Sequence, residues 1–160
     1  MISDPMKKLI LTLMLLASVV ARAELTWLTD LDEAKKVATK ENKKILVDFT
    51  GSDWCGYCMK LHEEVFATED FEKFAKDYVL VELDFPKRKE QPAAEKAKNQ
   101  AAQKKYGVNG FPAVFVLNAS GKVLAQAVGY SPGSGPDNYL PKLGGAAPRK
   151  TKGATPPAKK

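Results

Sequence analysis

Cysteine and histidine are scarce in this chain, whose 160 residues include only two cysteines and one histidine. Two cysteines cannot form the network of bridges that holds many small secreted domains together. Together with His62 they are also too few for a closed zinc site, which takes about four ligands. Met59 stands where a c-type haem motif requires histidine. We therefore predict no metal and no bound cofactor.

Only one long hydrophobic run is present, and it lies near the start of the chain. Residues 9–21, LILTLMLLASVVA, follow Lys7 and Lys8 and lead into Ala21-Arg22-Ala23, the small-residue pattern of a signal peptidase site. The run is shorter than the ~20 residues of a membrane-spanning helix. We predict a signal peptide over residues 1–23 and hence export, to the periplasm if the source is a Gram-negative bacterium. An uncleaved membrane anchor is the alternative.

The excess of basic residues lies at the two ends of the chain. The formal net charge is +6, but the final segment carries five basic residues and no acidic one: Arg149, Lys150, Lys152, Lys159 and Lys160. The part between the signal region and this segment is nearly neutral, so we predict no nucleic-acid partner for the folded domain. Residues 144–160 are too poor in large apolar side chains to fold, and we predict a disordered basic tail of Pro, Ala, Lys and Gly.

Apolar periodicity between these ends predicts an alternation of helices and strands. Helices are predicted near residues 31–40, 55–66, 69–77, 92–106 and 136–143, and strands near 45–49, 78–85, 113–117 and 122–128. The 92–106 helix has few large apolar residues, so we expect it to be mostly exposed and to pack through Ala94, Ala97, Ala101 and Tyr106. This order predicts an α/β fold with a mixed central β-sheet flanked by helices.

The two cysteines lie in the sequence Cys55-Gly56-Tyr57-Cys58, where a predicted strand and turn lead into a helix. Unpaired N–H groups and the positive end of the helix dipole favour the thiolate of the first cysteine, and the thiolate is the reactive form. The second cysteine lies one turn further along and can attack a mixed disulfide. We predict that Cys55 attacks a substrate and that Cys58 resolves the intermediate. An inert structural disulfide is the alternative.

Two segments around these residues resemble proteins of the thioredoxin-like family. They are residues 45–66, ILVDFTGSDWCGYCMKLHEEVF, and residues 110–121, GFPAVFVLNASG. The similarity is greatest to an exported bacterial group with a Ser-Asp-Trp-Cys-x-x-Cys motif, and it extends over residues 27–143. The resemblance implies a thioredoxin fold for a domain that spans residues 24–143.

The resemblance also implies roles for residues around the cysteine pair. Pro112 corresponds to a cis proline beside the pair, which would offer the backbone of Phe111 to an extended substrate. An ordinary trans proline is the alternative. Trp54, Gly56 and Tyr57 would complete the substrate-binding surface, although an aromatic side chain at position 54 could also simply pack.

Asp48 matches the family's buried acid, which relays protons to the resolving cysteine. A carboxylate within an apolar strand is costly unless it is used, and burial raises its pKa toward that of a general base. The alternative is a carboxylate at a strand end, bonded to nearby backbone. Glu82 stands where thioredoxin has a lysine, so we expect a second carboxylate that raises the pKa of Asp48 further. His62 is interpreted as a solvated helix residue.

These features predict an exported protein-disulfide oxidoreductase that exchanges disulfides with protein substrates and needs no cofactor beyond its cysteine pair. A membrane-bound or soluble redox partner must restore the pair after each cycle, and we expect the domain to act as a monomer. The Gly-Tyr dipeptide does not decide between reductase, oxidase and isomerase. The alternative is a non-catalytic binding or chaperone-like module with the same fold.

Overall fold

The computed structural model describes residues 25–144. The predicted signal peptide lies outside the described residues, as do residues 145–160 of the predicted tail. The described strands are β1 Trp27–Leu28, β2 Lys44–Thr50, β3 Tyr78–Asp84, β4 Ala113–Leu117 and β5 Val123–Val128. The described helices are α1 Leu31–Glu41, α2 Gly56–Leu61, α3 Glu69–Ala75, α4 Ala93–Tyr106 and α5 Gly135–Tyr139. A π-helical turn, His62–Phe66, continues α2, and a 3₁₀ turn, Leu140–Leu143, follows α5.

Five strands form one mixed sheet in the order β1-β3-β2-β4-β5. Strand β3 pairs in parallel with β1 and with β2, whereas β4 pairs antiparallel with β2 and with β5. The predicted mixed sheet flanked by helices is confirmed. Strand β1 is not among the predicted elements, because two residues are too few to show an alternating pattern.

The sheet divides the core into two layers, because alternate side chains of a strand point to opposite faces. From β2, Leu46 belongs to the same apolar cluster as Leu61 of α2 and Tyr139 of α5. Its neighbours Ile45 and Val47 belong to the cluster on the other face, which includes residues of α1 and α4. Asp48 follows Leu46 by two residues, so it lies on the face that α2 and α5 cover.

Helix α1 begins at a side-chain cap and is tied to α4. The carboxylate of Asp30 accepts hydrogen bonds from the N–H groups of Asp32 and Glu33 at 2.8 and 3.2 Å. These bonds satisfy two of the donors that a helix start leaves unpaired. Asp30 also forms an ion pair with the ammonium group of Lys98 on α4. This ion pair joins the N-terminus of α1 to α4 on the same face of the sheet.

Helix α4 is mostly exposed and packs through Tyr106 as predicted, but the three predicted alanine contacts are wrong. Ala94, Ala97 and Ala101 are exposed, and the deeply buried residue of this helix is Asn99. The Nδ2 group of Asn99 donates to the carbonyl oxygen of Asp84, at the end of β3, at 2.9 Å. The helix therefore meets the sheet through a hydrogen-bonding side chain as well as through the apolar contacts of Ala102 and Tyr106. An apolar pattern cannot identify the polar contact.

Candidate active site

The cysteine pair lies at the start of α2, directly after the turn that leaves β2. Cys55 is the N-cap residue, in an extended conformation, and the N–H of Cys58 donates to its Sγ atom at 3.2 Å. The N–H of Cys55 donates to the carbonyl oxygen of Gly51 at 2.8 Å and closes the turn. Cys55 and Cys58 are joined by a disulfide, with their Cα atoms 5.2 Å apart. The local fold thus brings the two sulfurs together, as attack and resolution by this pair require.

The position of Cys55 favours its thiolate once the disulfide is reduced. A helix N-terminus supplies unpaired N–H groups and a positive partial charge, both of which lower the pKa of a cysteine. Both cysteines are largely buried, with exposed fractions of 6% for Cys55 and 5% for Cys58. The separate roles of attacker and resolver stay a prediction.

Trp54 links the active-site turn to two neighbouring loops. Its Nε1 group donates to the carbonyl oxygen of Phe85 at 2.8 Å, and its ring meets the ring of Phe111 edge to face, with centroids 5.8 Å apart. Gly51 lies directly against this ring, because a Cβ atom at position 51 would stand 2.5 Å from the nearest ring atom. The Trp54 ring therefore packs against its neighbours, which was the alternative considered from the sequence. Contact between Trp54 and a substrate stays a prediction.

The loop before β4 reaches the same aromatic cluster. The Phe111–Pro112 peptide bond is cis, which confirms the isomer that the resemblance implies. The ring of Phe111 packs against that of Phe85, with centroids 5.1 Å apart. The carbonyl oxygen of Pro112 accepts a hydrogen bond from the N–H of Gly129 at 2.8 Å, which fixes the start of β4 against the end of β5.

The predicted substrate-binding residues Gly56, Tyr57 and Phe111 lie in α2 and in the loop before β4. Gly56 and Tyr57 are exposed at the start of α2, and 60% of the surface of Tyr57 is accessible. Phe111 is held beside them through its contact with Trp54. Gly56 and Tyr57 lie between the two cysteines, Phe111 contacts the residue directly before Cys55, and the role of these residues in binding a substrate stays a prediction.

Asp48 is a buried carboxyl group with an unsatisfied oxygen. It is 5% exposed, and its Oδ1 atom has no hydrogen-bond partner within the described structure. Burial raises the pKa of Asp48 well above its ordinary value, and the charges of Glu82 and Asp84 raise it further. The sequence also allowed Asp48 to be a carboxylate bonded to nearby backbone. The Oδ1 atom of Asp48 makes no such bond. The proton-relay role itself stays a prediction.

Glu82 is the second carboxylate that the sequence predicts near Asp48. The two residues are partners in the parallel register of β2 and β3. Glu82 is half-buried, and burial, followed by the charge of Asp84, raises its pKa, while His62 acts in the opposite direction. His62 itself is exposed on the π-helical turn, as interpreted from the sequence. Two acids therefore lie side by side below α2, and His62 and Lys89 are the basic groups that act on Glu82.

Tyr139 is a residue of this region that sequence reasoning did not identify. Its side chain is 1% exposed, and its hydroxyl group has no hydrogen-bond partner among residues 25–144. Burial raises its pKa, and the charge of Asp48 adds to the effect. Tyr139 lies 91 residues after Asp48 in the chain, and no local pattern connects a strand with a final helix at that separation.

Two further properties bear on cofactors and membranes. Across residues 25–144, no group of three or more histidine, cysteine, aspartate or glutamate side chains is placed to hold a metal ion. That a cofactor is not needed remains a prediction from the sequence. None of the helices in the described range is long and apolar enough to cross a bilayer.

The fold and the cysteine geometry agree with comparisons to known proteins. A family model described as a thioredoxin-like domain matches residues 31–144. The chain belongs to the thioredoxin-like family. The family membership that the sequence motifs indicate is thereby confirmed, together with the thioredoxin fold.

Several relatives of this thioredoxin-like protein have assigned names. The disulfide bond reductase DsbH of Chlamydia pneumoniae is 38% identical over 117 residues, which cover 72% of this chain and 69% of that protein. The thioredoxin-related protein DsbJ of the same organism is 32% identical over 95 residues, or 59% of this chain and 27% of that protein. A solved structure of DsbH oxidoreductase has 36% sequence identity and a TM-score of 0.69, and the match covers 78% of this chain and 85% of that chain. With the disulfide-bonded Cys-x-x-Cys pair, these relatives confirm the predicted enzyme class, a protein-disulfide oxidoreductase.

Proposed function

We propose that this protein is an exported disulfide reductase that acts on protein disulfides through Cys55 and Cys58. One observation carries the proposal: the disulfide lies at the N-terminus of α2, on the sheet face that also holds the buried carboxyl group of Asp48. The reducing direction is supported by the name of the relative DsbH, a disulfide bond reductase that is 38% identical. Export is supported by the signal-peptide pattern of residues 1–23.

In the reducing direction, the reduced cysteine pair supplies two electrons to the substrate. The thiolate of Cys55 attacks one sulfur of the substrate disulfide, whose S–S bond breaks as a mixed disulfide forms. The first substrate thiolate leaves and takes up a proton. Cys58 then loses its proton and attacks the Sγ atom of Cys55, which releases the second substrate thiolate. The protein ends with the Cys55–Cys58 disulfide, and the substrate ends with two thiols.

Asp48 is proposed as the group that takes the proton from Cys58. A general base works best when its pKa lies near the working pH, and burial with the neighbouring charge of Glu82 moves the pKa of Asp48 in that direction. Asp48 lies on the sheet face that α2 covers, and Cys58 is a buried residue of α2. The carboxylate is therefore kept on the inner side of the helix, away from the exposed surface that meets the substrate.

A reductase that has completed its cycle needs two electrons from another dithiol. We propose that a membrane-bound or soluble redox partner supplies them by attacking the Cys55–Cys58 disulfide. Partner and substrate would use the same exposed surface around Trp54, Tyr57 and Phe111, because both must reach the same sulfur atoms. The domain is proposed to act as a monomer, since one chain contains both cysteines.

A pair of single-cysteine variants tests the proposal. With a peptide that contains one disulfide, the Cys58→Ser variant is expected to accumulate a mixed disulfide through Cys55, measured by mass spectrometry. The Cys55→Ser variant is the matched control, since it retains one cysteine, and it is expected to form little adduct. If neither variant forms a covalent adduct and both bind the peptide non-covalently, exchange is contradicted and a binding or chaperone-like module is favoured.

A further inference from the structure

The loop that follows β3 is bound to the active-site turn through its backbone. The carboxylate of Asp53 accepts hydrogen bonds from three successive N–H groups, those of Lys87, Arg88 and Lys89, at 3.0, 2.7 and 2.9 Å. The bond from Lys87 is the main cause of a lowered pKa for Asp53. The carboxylate is therefore ionised at neutral pH, the state in which it accepts these bonds most strongly.

Side chains add a second attachment between the same two segments. Ser52 donates from its Oγ atom and from its N–H to the carboxylate of Asp84, at 2.6 and 2.9 Å. Lys89 donates from Nζ to the Oγ atom of Ser52 at 2.8 Å and lies 3.6 Å from the same carboxylate. The loop therefore has a fixed position relative to the turn that carries the cysteines.

This attachment presents three consecutive basic residues beside the catalytic pair, and we call residues 87–89 the basic segment. Their N–H groups point inward to Asp53, and all three side chains are exposed. The Nζ atom of Lys87 lies 3.7 Å from the ring centroid of Trp54, the residue directly before Cys55. Within residues 25–144, the guanidinium group of Arg88 makes no ion pair. The segment thus offers cations that a partner can bind.

The two carboxylates nearest the basic segment are already bound within the protein, Asp53 by the N–H groups of residues 87–89 and Asp84 by Ser52 and Lys89. The predicted substrate surface carries no charge: its residues Gly56 and Tyr57 are exposed, and Trp54 and Phe111 are half-buried. A cleft of about 410 Å³ adjoins the basic segment, and three lysines line it against the one acid Glu90: Lys87, Lys89 and Lys96. These contacts leave the side chains of Lys87 and Arg88 exposed and without an ion pair among the described residues, and their charge is complementary to an acidic protein segment.

We propose that the basic segment is a docking element for acidic side chains that flank the disulfide of a substrate protein. The inference rests on the proposed reductase function, because docking matters only if the bound disulfide reaches Cys55. A substrate that extends past Trp54 brings its flanking residues next to Lys87 and Arg88. Opposite charges at that place increase the rate of productive encounter more than they increase the strength of the complex.

Three peptides of equal length test the inference, each closed by one disulfide and differing only in flanking residues: Glu, Gln or Lys. The protein is reduced with dithiothreitol, freed of it and mixed with each peptide. Two protein thiols then become a disulfide as the peptide disulfide becomes two thiols, and alkylation with mass spectrometry gives the rate. We expect the Glu peptide to react about three- to tenfold faster than the Gln peptide. The Lys peptide should react more slowly than both.

Salt and charge variants identify the source of this preference. The preference should vanish at about 1 M salt, where the screening length is ~3 Å. It should also vanish in a variant with Lys87→Gln and Arg88→Gln, and fall partly with Arg88→Gln alone, which leaves the contact with Trp54 intact. The matched control combines Lys44→Gln and Lys122→Gln, two exposed residues at the opposite end of the sheet, and it should keep the preference.

The outcomes separate the docking inference from the function on which it rests. The Gln peptide measures exchange alone, so failure to reduce any peptide contradicts the reductase function and the docking inference together. Reduction of the Glu and Gln peptides at equal rates contradicts docking only. A preference that survives in the Lys87→Gln, Arg88→Gln variant, or that falls equally in the control, also overturns the inference.

Discussion

Asp48 and Glu82 lie directly opposite each other on the neighbouring parallel strands β2 and β3. Paired residues of adjacent strands point to the same face of a sheet, so both carboxyl groups lie on the face that α2 covers. Asp48 is buried and has an unpaired Oδ1 atom. Its raised pKa arises first from burial and then from the charge of Glu82. The charge of a second acid therefore adds to the effect of burial on the pKa of Asp48.

The first prediction concerns Glu82→Gln. Removing this carboxylate should lower the pKa of Asp48, because one of the negative charges that oppose its ionisation is lost. If Asp48 takes the proton from Cys58, the pH profile of peptide reduction should shift to lower pH. Glu33→Gln, at an exposed position on α1, is the control and should leave the profile in place. An unchanged profile for Glu82→Gln would contradict the coupling of the two acids.

The second prediction concerns the stability of Asp48→Asn. The pKa of Asp48 is raised in the folded protein, so the folded state holds its proton over a pH range in which the unfolded state has lost it. The free energy of unfolding should therefore fall as pH rises from about 3.9, the ordinary value, through the raised value, and then level off. Asp48→Asn should lack this decline and be more stable at neutral pH by about 1–3 kcal/mol.

Two measurements check this prediction. Urea unfolding of the oxidised protein at pH 4 and pH 7 should give similar stabilities for both proteins at the lower pH and a difference at the higher pH. Peptide reduction at neutral pH should be about 100-fold slower in Asp48→Asn, since a general base is lost. If the free energy of unfolding changes with pH in the same way for both proteins, the titration of buried Asp48 does not cause the decline in stability.

The third prediction sets Tyr139→Phe against Tyr130→Phe. The buried hydroxyl of Tyr139 has no partner within the described structure, so its removal should stabilise the fold by about 1 kcal/mol. The hydroxyl of Tyr130 donates to Glu64 at 2.6 Å and accepts from the N–H of Gly135 at 3.1 Å, so its removal should cost about 1–3 kcal/mol. Thermal and urea unfolding of both variants measure the two effects. Equal destabilisation by both changes would contradict the assignment for Tyr139.

The fourth prediction concerns two glycines beside the cysteines. A Cβ atom at Gly51 would stand 2.5 Å from the ring of Trp54, so Gly51→Ala should displace that ring and destabilise the fold by about 1–3 kcal/mol. A Cβ atom at Gly56 would meet nothing within 4 Å, so Gly56→Ala should keep the stability or raise it slightly. Urea unfolding and the fluorescence of the displaced indole report the difference. Equal stability of the two variants would mean that the Trp54 ring can move without loss of folding free energy.

Much of the site could be predicted from short-range sequence features. The apolar run of β2, the turn and the cysteine spacing together indicate a strand that leads into a helix N-terminus, where Cys55 is found. The resemblance of the Gly-Phe-Pro segment before β4 to the thioredoxin-like family implies the cis bond at Pro112. Glu82 could be placed near Asp48 because it stands where the resembled family has a lysine beside the buried acid.

The parts that could not be predicted depend on contacts between distant segments. Asp53 binds the N–H groups of residues 87–89, and Trp54 binds the carbonyl oxygen of Phe85. Such bonds join a side chain to backbone more than thirty residues away, so they leave no periodic pattern in the sequence. Asn99 was missed for a related reason, because a polar side chain that bonds to backbone can occupy a buried position in a helix.

The reduction potential of the Cys55–Cys58 disulfide tests the central claim most directly, namely that this pair reduces disulfides in substrate proteins. Equilibration with glutathione or dithiothreitol buffers, followed by alkylation of free thiols and mass spectrometry, gives the potential of the intact protein. We expect a value near that of thioredoxin, about −270 mV, at which the dithiol donates electrons readily. A value near about −120 mV, typical of strong oxidants, would contradict a reductase and indicate disulfide donation instead.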